Sequence, residues 1–185
     1  MSPLIANDAV LAPLWRYWDA KRGRRRMPLR HEIDPGEIPR LLPHLQLVEH
    51  VEGRGFRYRL CGSAIAQGYG FDATGKFTHE ILSPARHAIA SRHYALVFDS
   101  ARPLYARNRY VQDSFLIVMI TRIVLPLSLD GESVGVLLLG HSFASPTAEE
   151  QAPGLDGVID TDEYEFLEGP PALSLVSPHR AAASR

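Results

Sequence analysis

The side chains able to do chemistry are few and scattered. His87 and His93 are six residues apart, which on a helix separates them by about 120° and keeps them off one edge of a shared metal site. Ser63, Ser83 and Ser91 lack a nucleophile-elbow motif, and Glu49, Glu52, Asp72 and Asp99 form no recognisable pairing of general acid and base. Gly68-Tyr69-Gly70 has neither the Lys-Ser/Thr of a phosphate loop nor the strand-glycine-helix order of a dinucleotide fingerprint. Cys61 is the single cysteine, so an internal disulfide and a multi-cysteine zinc site are excluded; it reads as a small apolar residue in a reducing compartment. No catalytic residue and no metal site is expected. A small enzyme is retained only as an outside reading, because many sites are invisible in one sequence.

The elements that would position these residues follow from composition and periodicity. A chain of 185 residues, 45% hydrophobic and 22% charged, suits one packed domain with tails. Its net charge of -1 provides no global field for nucleic acid or an anionic membrane. The N-terminus lacks the pattern of a signal peptide, and the apolar run Phe115 to Ile120 is too short to span a bilayer, so a cytoplasmic protein is expected. Leu11, Leu14, Trp15 and Trp18 form an amphipathic stripe that Asn7 or Asp8 could cap. The stripe either packs on its own domain or forms a homodimer surface; the sequence leaves both open.

Lys21, Arg22, Arg24, Arg25, Arg26 and Arg30 then form a basic loop, closing an N-terminal region over residues 1–30. Without helical or aromatic spacing beside it, the cluster reads as solvated, and nucleic acid is not expected. Residues 31–143 read as an α+β domain. Leu45 to Val51 and Phe56 to Leu60 make a hairpin, with Phe56, Tyr58 and Leu60 on one face and Arg57 and Arg59 on the other. A glycine-rich stretch from Gly62 to Leu82 permits only short helices. Pro84 opens a long helix over Ala85 to Asp99, where Ile89, Ala90, Leu96 and Val97 share an arc of roughly 140° with His93 near its centre. Strands follow at Leu104 to Val111, Phe115 to Ser128 and Ser133 to Gly140, the last two joined at Asp130-Gly131. Residues 144–185 read as an irregular tail, with a short element at Val158 to Leu167 able to dock and the last dozen residues disordered.

The segment from Phe56 to Glu80 resembles a bacterial family of stand-alone PAS domains. The resemblance rests on Arg57-Tyr58-Arg59-Leu60 followed by Gly62, then Asp72, Thr74 and Gly75 before a short helix. Trp18, Pro28, the stretch from Asp34-Pro35 to Leu42-Pro43, and Leu125-Pro126-Leu127 with Asp130-Gly131 extend it over roughly Leu14 to Phe143. It implies a five-stranded antiparallel sheet with helices on one face, and the N-terminal amphipathic helix is added to that. The glycines are expected where turns need positive φ, and Asp72 and Thr74 where a turn or helix needs a cap.

What such a fold implies is a sensory or regulatory domain that binds a small molecule and changes its contacts with itself or a partner protein. The alternative is a structural dimerisation module with a filled core, and behind it a small protein or enzyme that binds a hydrophobic ligand. By side-chain direction the pocket would be lined by Tyr58, Leu60, His93, Val97, Ile120 and Leu137. A haem-binding PAS domain would take His93 as axial ligand, although a buried neutral histidine bonded within the protein is the simpler reading. A flavin would require a reactive cysteine in a helical motif, which the strand-end position of Cys61 does not supply. The ligand, the cofactor and the partner protein stay unknown. A homodimer is expected, with Leu11, Leu14, Trp15 and Trp18 as its surface.

Overall fold

The computed structural model describes residues 2–112, 116–144 and 162–167. Helix α1 (Leu11–Arg22) begins where the Asp8 carboxylate accepts from the backbone N–H groups of Val10 and Leu11, at 2.8 and 2.7 Å, satisfying donors that the helix itself leaves open. Three single-turn 3-10 helices over Arg30–Glu32, Pro35–Glu37 and Leu42–His44 carry the proline-rich connection to the sheet. Strands β1 (Leu45–Val51) and β2 (Gly55–Cys61) form the first hairpin. Short helices α2 (Ser63–Tyr69) and α3 (Thr78–Ile81) precede the long helix α4 (Pro84–Ser100). Strands β3 (Leu104–Gln112), β4 (Leu116–Ser128) and β5 (Val134–Ala144) follow, and β6 (Asp162–Phe166) comes from the region after residue 144.

The sheet is antiparallel, in the order β2-β1-β5-β4-β3-β6. It has six strands where five were expected, because β6 pairs along the outer edge of β3 from Leu104↔Phe166 to Asn108↔Asp162. The docking element read at Val158 to Leu167 is therefore an edge strand, within a stretch otherwise read as irregular. Leu167 N–H donates to Pro103 O at 2.9 Å and its side chain is buried, which anchors the end of the strand. The Gln112-Asp113-Ser114 connection falls mostly outside the described residues, and the last dozen residues lie wholly outside them.

Both faces of the sheet are covered. Along β4, Ile123, Leu125 and Leu127 alternate with Arg122 and Val124, and along β5, Val136 and Leu138 alternate with Leu137, Leu139 and His141. The first set packs with Leu11, Leu14, Trp15 and Trp18 of α1; the second faces α4 through Ala90, Tyr94 and Val97. Trp18 is fully buried, and its indole Nε1–H donates to Pro126 O at 3.0 Å. A buried indole N–H needs such a partner. At Gly140 a Cβ would run into Leu14 Cδ2, so the glycine lets α1 lie close to the sheet.

Candidate functional site

The inner face of the sheet holds a buried polar cluster among apolar neighbours. Arg122 from β4 donates from Nη2 to His93 Nδ1 at 2.7 Å, and both side chains are buried. A guanidinium can only donate, so Nδ1 accepts and the ring proton sits on Nε2. That nitrogen lies 3.0 Å from Asp162 Oδ1 on β6. Asp162 also accepts from Asn108 Nδ2 at 2.8 Å and pairs with Arg92 of α4. Tyr164, next but one along β6, packs its ring 5.0 Å from His93. Burial first, then the positive charges of Arg122 and Arg92, lower the His93 pKa from 6.5 to about 3, so the ring is neutral.

Beside this cluster, between the sheet and helices α2 and α4, is a small cavity of about 20 Å³, about the room one water molecule needs. Tyr58 from β2, Tyr69 from α2, Leu82, Arg86 and Ala90 from α4 and its approach, Ile120 and Arg122 from β4, and His141 from β5 form its wall. His141 is the cross-strand partner of Arg122, is 2% exposed, and has no hydrogen-bond partner on either ring nitrogen among the described residues. Burial, then Arg122 and His44, lower its pKa from 6.5 to about 3. The Tyr58 hydroxyl is held well above its ordinary pKa by burial and by the neighbouring Tyr94 and Tyr69. Among the described residues the wall thus carries two guanidinium groups, two phenols and a neutral imidazole, and no carboxylate.

Of the residues assigned to a pocket by side-chain direction, Tyr58 and Ile120 line this cavity. His93, Val97 and Leu137 are fully buried on the same face, His93 one residue removed from the wall behind Arg122. Leu60 is a correction: it is 41% exposed and stands on the opposite side of the sheet. A β-bulge is the cause. Leu47 pairs with Leu60 but Val48 pairs with Tyr58, so Arg59 is an extra residue and the alternation flips after Tyr58. Leu60 joins Leu47 on the α1 side, and Cys61 takes the inward direction, packed partly buried against the inner cluster.

The expected dimer surface of Leu11, Leu14, Trp15 and Trp18 is a second correction, since all four side chains are buried against the chain's own sheet. The basic loop is likewise engaged internally. Lys21 pairs with Glu37, Arg22 with Asp19, and Arg25 with both oxygens of Glu32, while Arg26 donates to Ser100 O at 2.7 Å.

The Gly62 to Gly75 motif is structural. Asp72 Oδ1 accepts from Thr74 N–H and Thr74 Oγ1, and that hydroxyl oxygen accepts from Cys61 N–H. Gly75 N–H donates to Tyr58 O and Tyr58 N–H to Lys76 O, so the loop closes onto the outer edge of β2. Gly75 has φ 82°, as expected. Gly62 differs: its φ is -65°, and glycine is needed there because a Cβ would sit closer than 3.0 Å to the carbonyl oxygens of Leu42 and Pro43.

The cavity does not fit haem. His93 Nδ1 accepts from Arg122, the Asp162 carboxylate lies 3.0 Å from Nε2, and the space is far smaller than a porphyrin. Among the described residues no group of three or more His, Cys, Asp or Glu side chains converges on a point able to hold a metal ion. Among them also, no helix is long and apolar enough to cross a membrane.

Sequence reasoning missed Arg122, His141 and Asp162. Arg122 interrupts an apolar run at an inward position, and His141 continues the period-2 set begun by Leu137 and Leu139. Asp162 had no local signal, because its role exists only through the pairing of β6 with β3.

Comparison with known proteins bears on the same region. No curated protein and no solved structure matches the chain. A family model described as PAS domain matches residues 7–140, from the start of the α1 cap into β5, which is well over half of the sequence. With its antiparallel sheet and flanking helices, the chain belongs to the PAS domain family.

Proposed function

We propose that this PAS domain is a non-catalytic cytoplasmic sensor that binds a small molecule between the sheet and α4 and passes the change to its own contacts or to a partner protein. The observation that carries the reading is the cavity wall. It draws side chains from five elements onto one point, including a buried imidazole with no hydrogen-bond partner among the described residues, and a core built only for packing would have no use for such a group. Asp162, His93 and Arg122 lie in a line like that of a hydrolase triad, but the third member is a guanidinium, which cannot act as a nucleophile. Helix α4 is the natural transmitter, since Ala90 and Arg86 touch the cavity while Arg92 and His93 hold β6.

The small size of the cavity favours a second reading, a dimerisation module whose core is filled by its own side chains. With the α1 stripe buried, self-association would use other surface. Native mass spectrometry of protein purified from its own host separates the two, because it reports bound mass and oligomeric state together. A retained metabolite supports the sensor; a clean dimer without added mass supports the module and overturns ligand sensing.

A further inference from the structure

A second space lies on the opposite face of the sheet, where the cover of α1 gives out. Across β5, β1 and β2 the row Leu138, Leu47 and Leu60 runs from buried through partly buried to 41% exposed. Next to it is an open groove of about 440 Å³, against about 20 Å³ for the inner cavity. Leu47 and Val136 line it from the sheet, and Leu129, 65% exposed, lines it from the β4–β5 hairpin. The Leu129 side chain is seated over Gly135, where a Cβ would come within 2.5 Å of its Cγ. Arg30 of the basic loop borders the same space, and the loop is tied to the hairpin where Ser128 N–H donates to Pro28 O at 3.0 Å.

The charge around this apolar strip is mostly positive. Glu49 accepts from Arg57 Nε at 2.6 Å and from Arg59 Nη1 at 2.9 Å, so two guanidinium groups share one carboxylate. Arg30 donates one long hydrogen bond, to Ile33 O at 3.5 Å, and has no ion pair among the described residues. Exposed leucines framed by cations suit a partner that carries leucine-sized side chains among acids. A free small molecule is held best where most of its surface is enclosed. Here Leu60 and Leu129 stand open to water, which fits a segment carried by its own protein.

We infer that this groove docks a short acidic segment of a partner protein, whose apolar side chains enter between Leu47, Leu129 and Val136 while its carboxylates meet Arg30 and Arg59. The site lies across the sheet from the inner cavity and stands whether or not that cavity holds a ligand.

The test is a titration of the full chain, followed by NMR at the methyl groups of Leu47, Leu60 and Leu129. The probes are a peptide of alternating glutamate and leucine with blocked ends and, separately, its counterpart with lysine for glutamate. The acidic peptide is expected to shift all three leucines saturably and the basic one to leave them in place. Arg30→Glu is expected to raise the acidic peptide's midpoint about tenfold through like-charge repulsion. Leu129→Asn, at an exposed hairpin position, keeps the test in force should Arg30→Glu fail to fold, with an expected rise of about threefold. Equal shifts from the two peptides, or a midpoint that Arg30→Glu leaves unaltered, would overturn recognition of acids, and no saturable shift from the acidic peptide would overturn docking altogether. A dimer that Leu129→Asn dissociates in sedimentation would make the occupant a second copy of this chain. Nuclear Overhauser contacts from the Leu129 methyls to residues 145–161 or 168–185 in the free chain would make it the chain's own segment. Either result would overturn the assignment to a partner protein.

Discussion

Arg122 and His141 are direct partners across the β4–β5 ladder, and both turn toward α4, so that a buried guanidinium and a buried imidazole without a hydrogen-bond partner among the described residues share one wall of the cavity. The pairing is costly for stability, because a charge and an unsatisfied ring are withheld from water together. Its consequences for pH, packing and binding can be measured separately.

The two inner histidines make the fold acid-sensitive in a defined window. His93 and His141 titrate at about 3 in the folded chain, against 6.5 ordinarily. Between these values the unfolded chain takes up protons that the folded one refuses. The stabilisation is therefore complete above 6.5 and is lost as pH falls toward 3, by up to about 1.4 kcal/mol per pH unit for each histidine. His141→Leu removes one of the two groups and its orphaned nitrogens. The melting temperature of the variant at neutral pH is expected to equal or exceed that of the parent, and to decline less steeply on acidification. An identical slope in thermal melts of both proteins would show that His141 is not held neutral by the fold.

Trp18 is a core residue and not a contact between copies. Trp18→Ala is expected to cost about 3–5 kcal/mol in urea unfolding through the cavity it leaves. Trp18→Phe should cost about 1–3 kcal/mol, because the Pro126 carbonyl loses its donor. Sedimentation should give both folded variants the oligomeric state of the parent. A change of state without loss of stability would return α1 to the role of interface.

Two glycines in close contact should respond differently to an added methyl group. At Gly62 the Cβ would meet two backbone carbonyls, which cannot yield without moving the Leu42–His44 turn. At Gly140 it would meet chiefly the Leu14 side chain, which can change rotamer. Gly62→Ala is expected to destabilise by about 3 kcal/mol or more and Gly140→Ala by about 1–2 kcal/mol. The order of the two midpoints in urea is the check; a reversed order would contradict the close approach at Gly62.

Asp162 fastens β6 to the inner cluster. Asp162→Ala takes from the Asn108 amide the carboxylate acceptor 2.8 Å away, at a cost of about 1–3 kcal/mol, and removes the carboxylate that lies 3.0 Å from His93 Nε2. The expected signature is local: amide exchange in β3 and β6 accelerates while the amides of β1 and β5 keep their protection. Unaltered protection along β3 would mean that the strand is held by backbone pairing alone.

Much of this architecture was legible because periodicity reports which way a side chain faces. The arc of α4 that centred on His93, the alternation of β4 and β5, and the Asp130-Gly131 hairpin needed only local sequence. The hairpin is sealed by Ser128, Asp130 and Ser133, with the Asp130 carboxyl held well below its ordinary pKa, first by the Ser133 hydroxyl. What was not legible depends on pairing. The flip of Leu60 arises from a bulge visible only when β1 is laid beside β2. An apolar stripe such as that of α1 looks the same whether its partner is the chain's own sheet or another copy. The acids that engage the basic loop, Asp19, Glu32 and Glu37, were close by in sequence, yet their geometry depended on the turns between them. Asp162 completes the site from a strand remote in sequence, where no local pattern could announce it.

The most direct measurement of the central claim is methyl and ring NMR of the full chain while a low-molecular-weight extract of its host's cells is added. A ligand between the sheet and α4 should shift Ala90, Ile120 and His141 saturably and leave Leu14 and Leu125, on the α1 side, unchanged. Shifts confined to the α1 side, or none at any of these residues, would contradict a ligand site in this cavity.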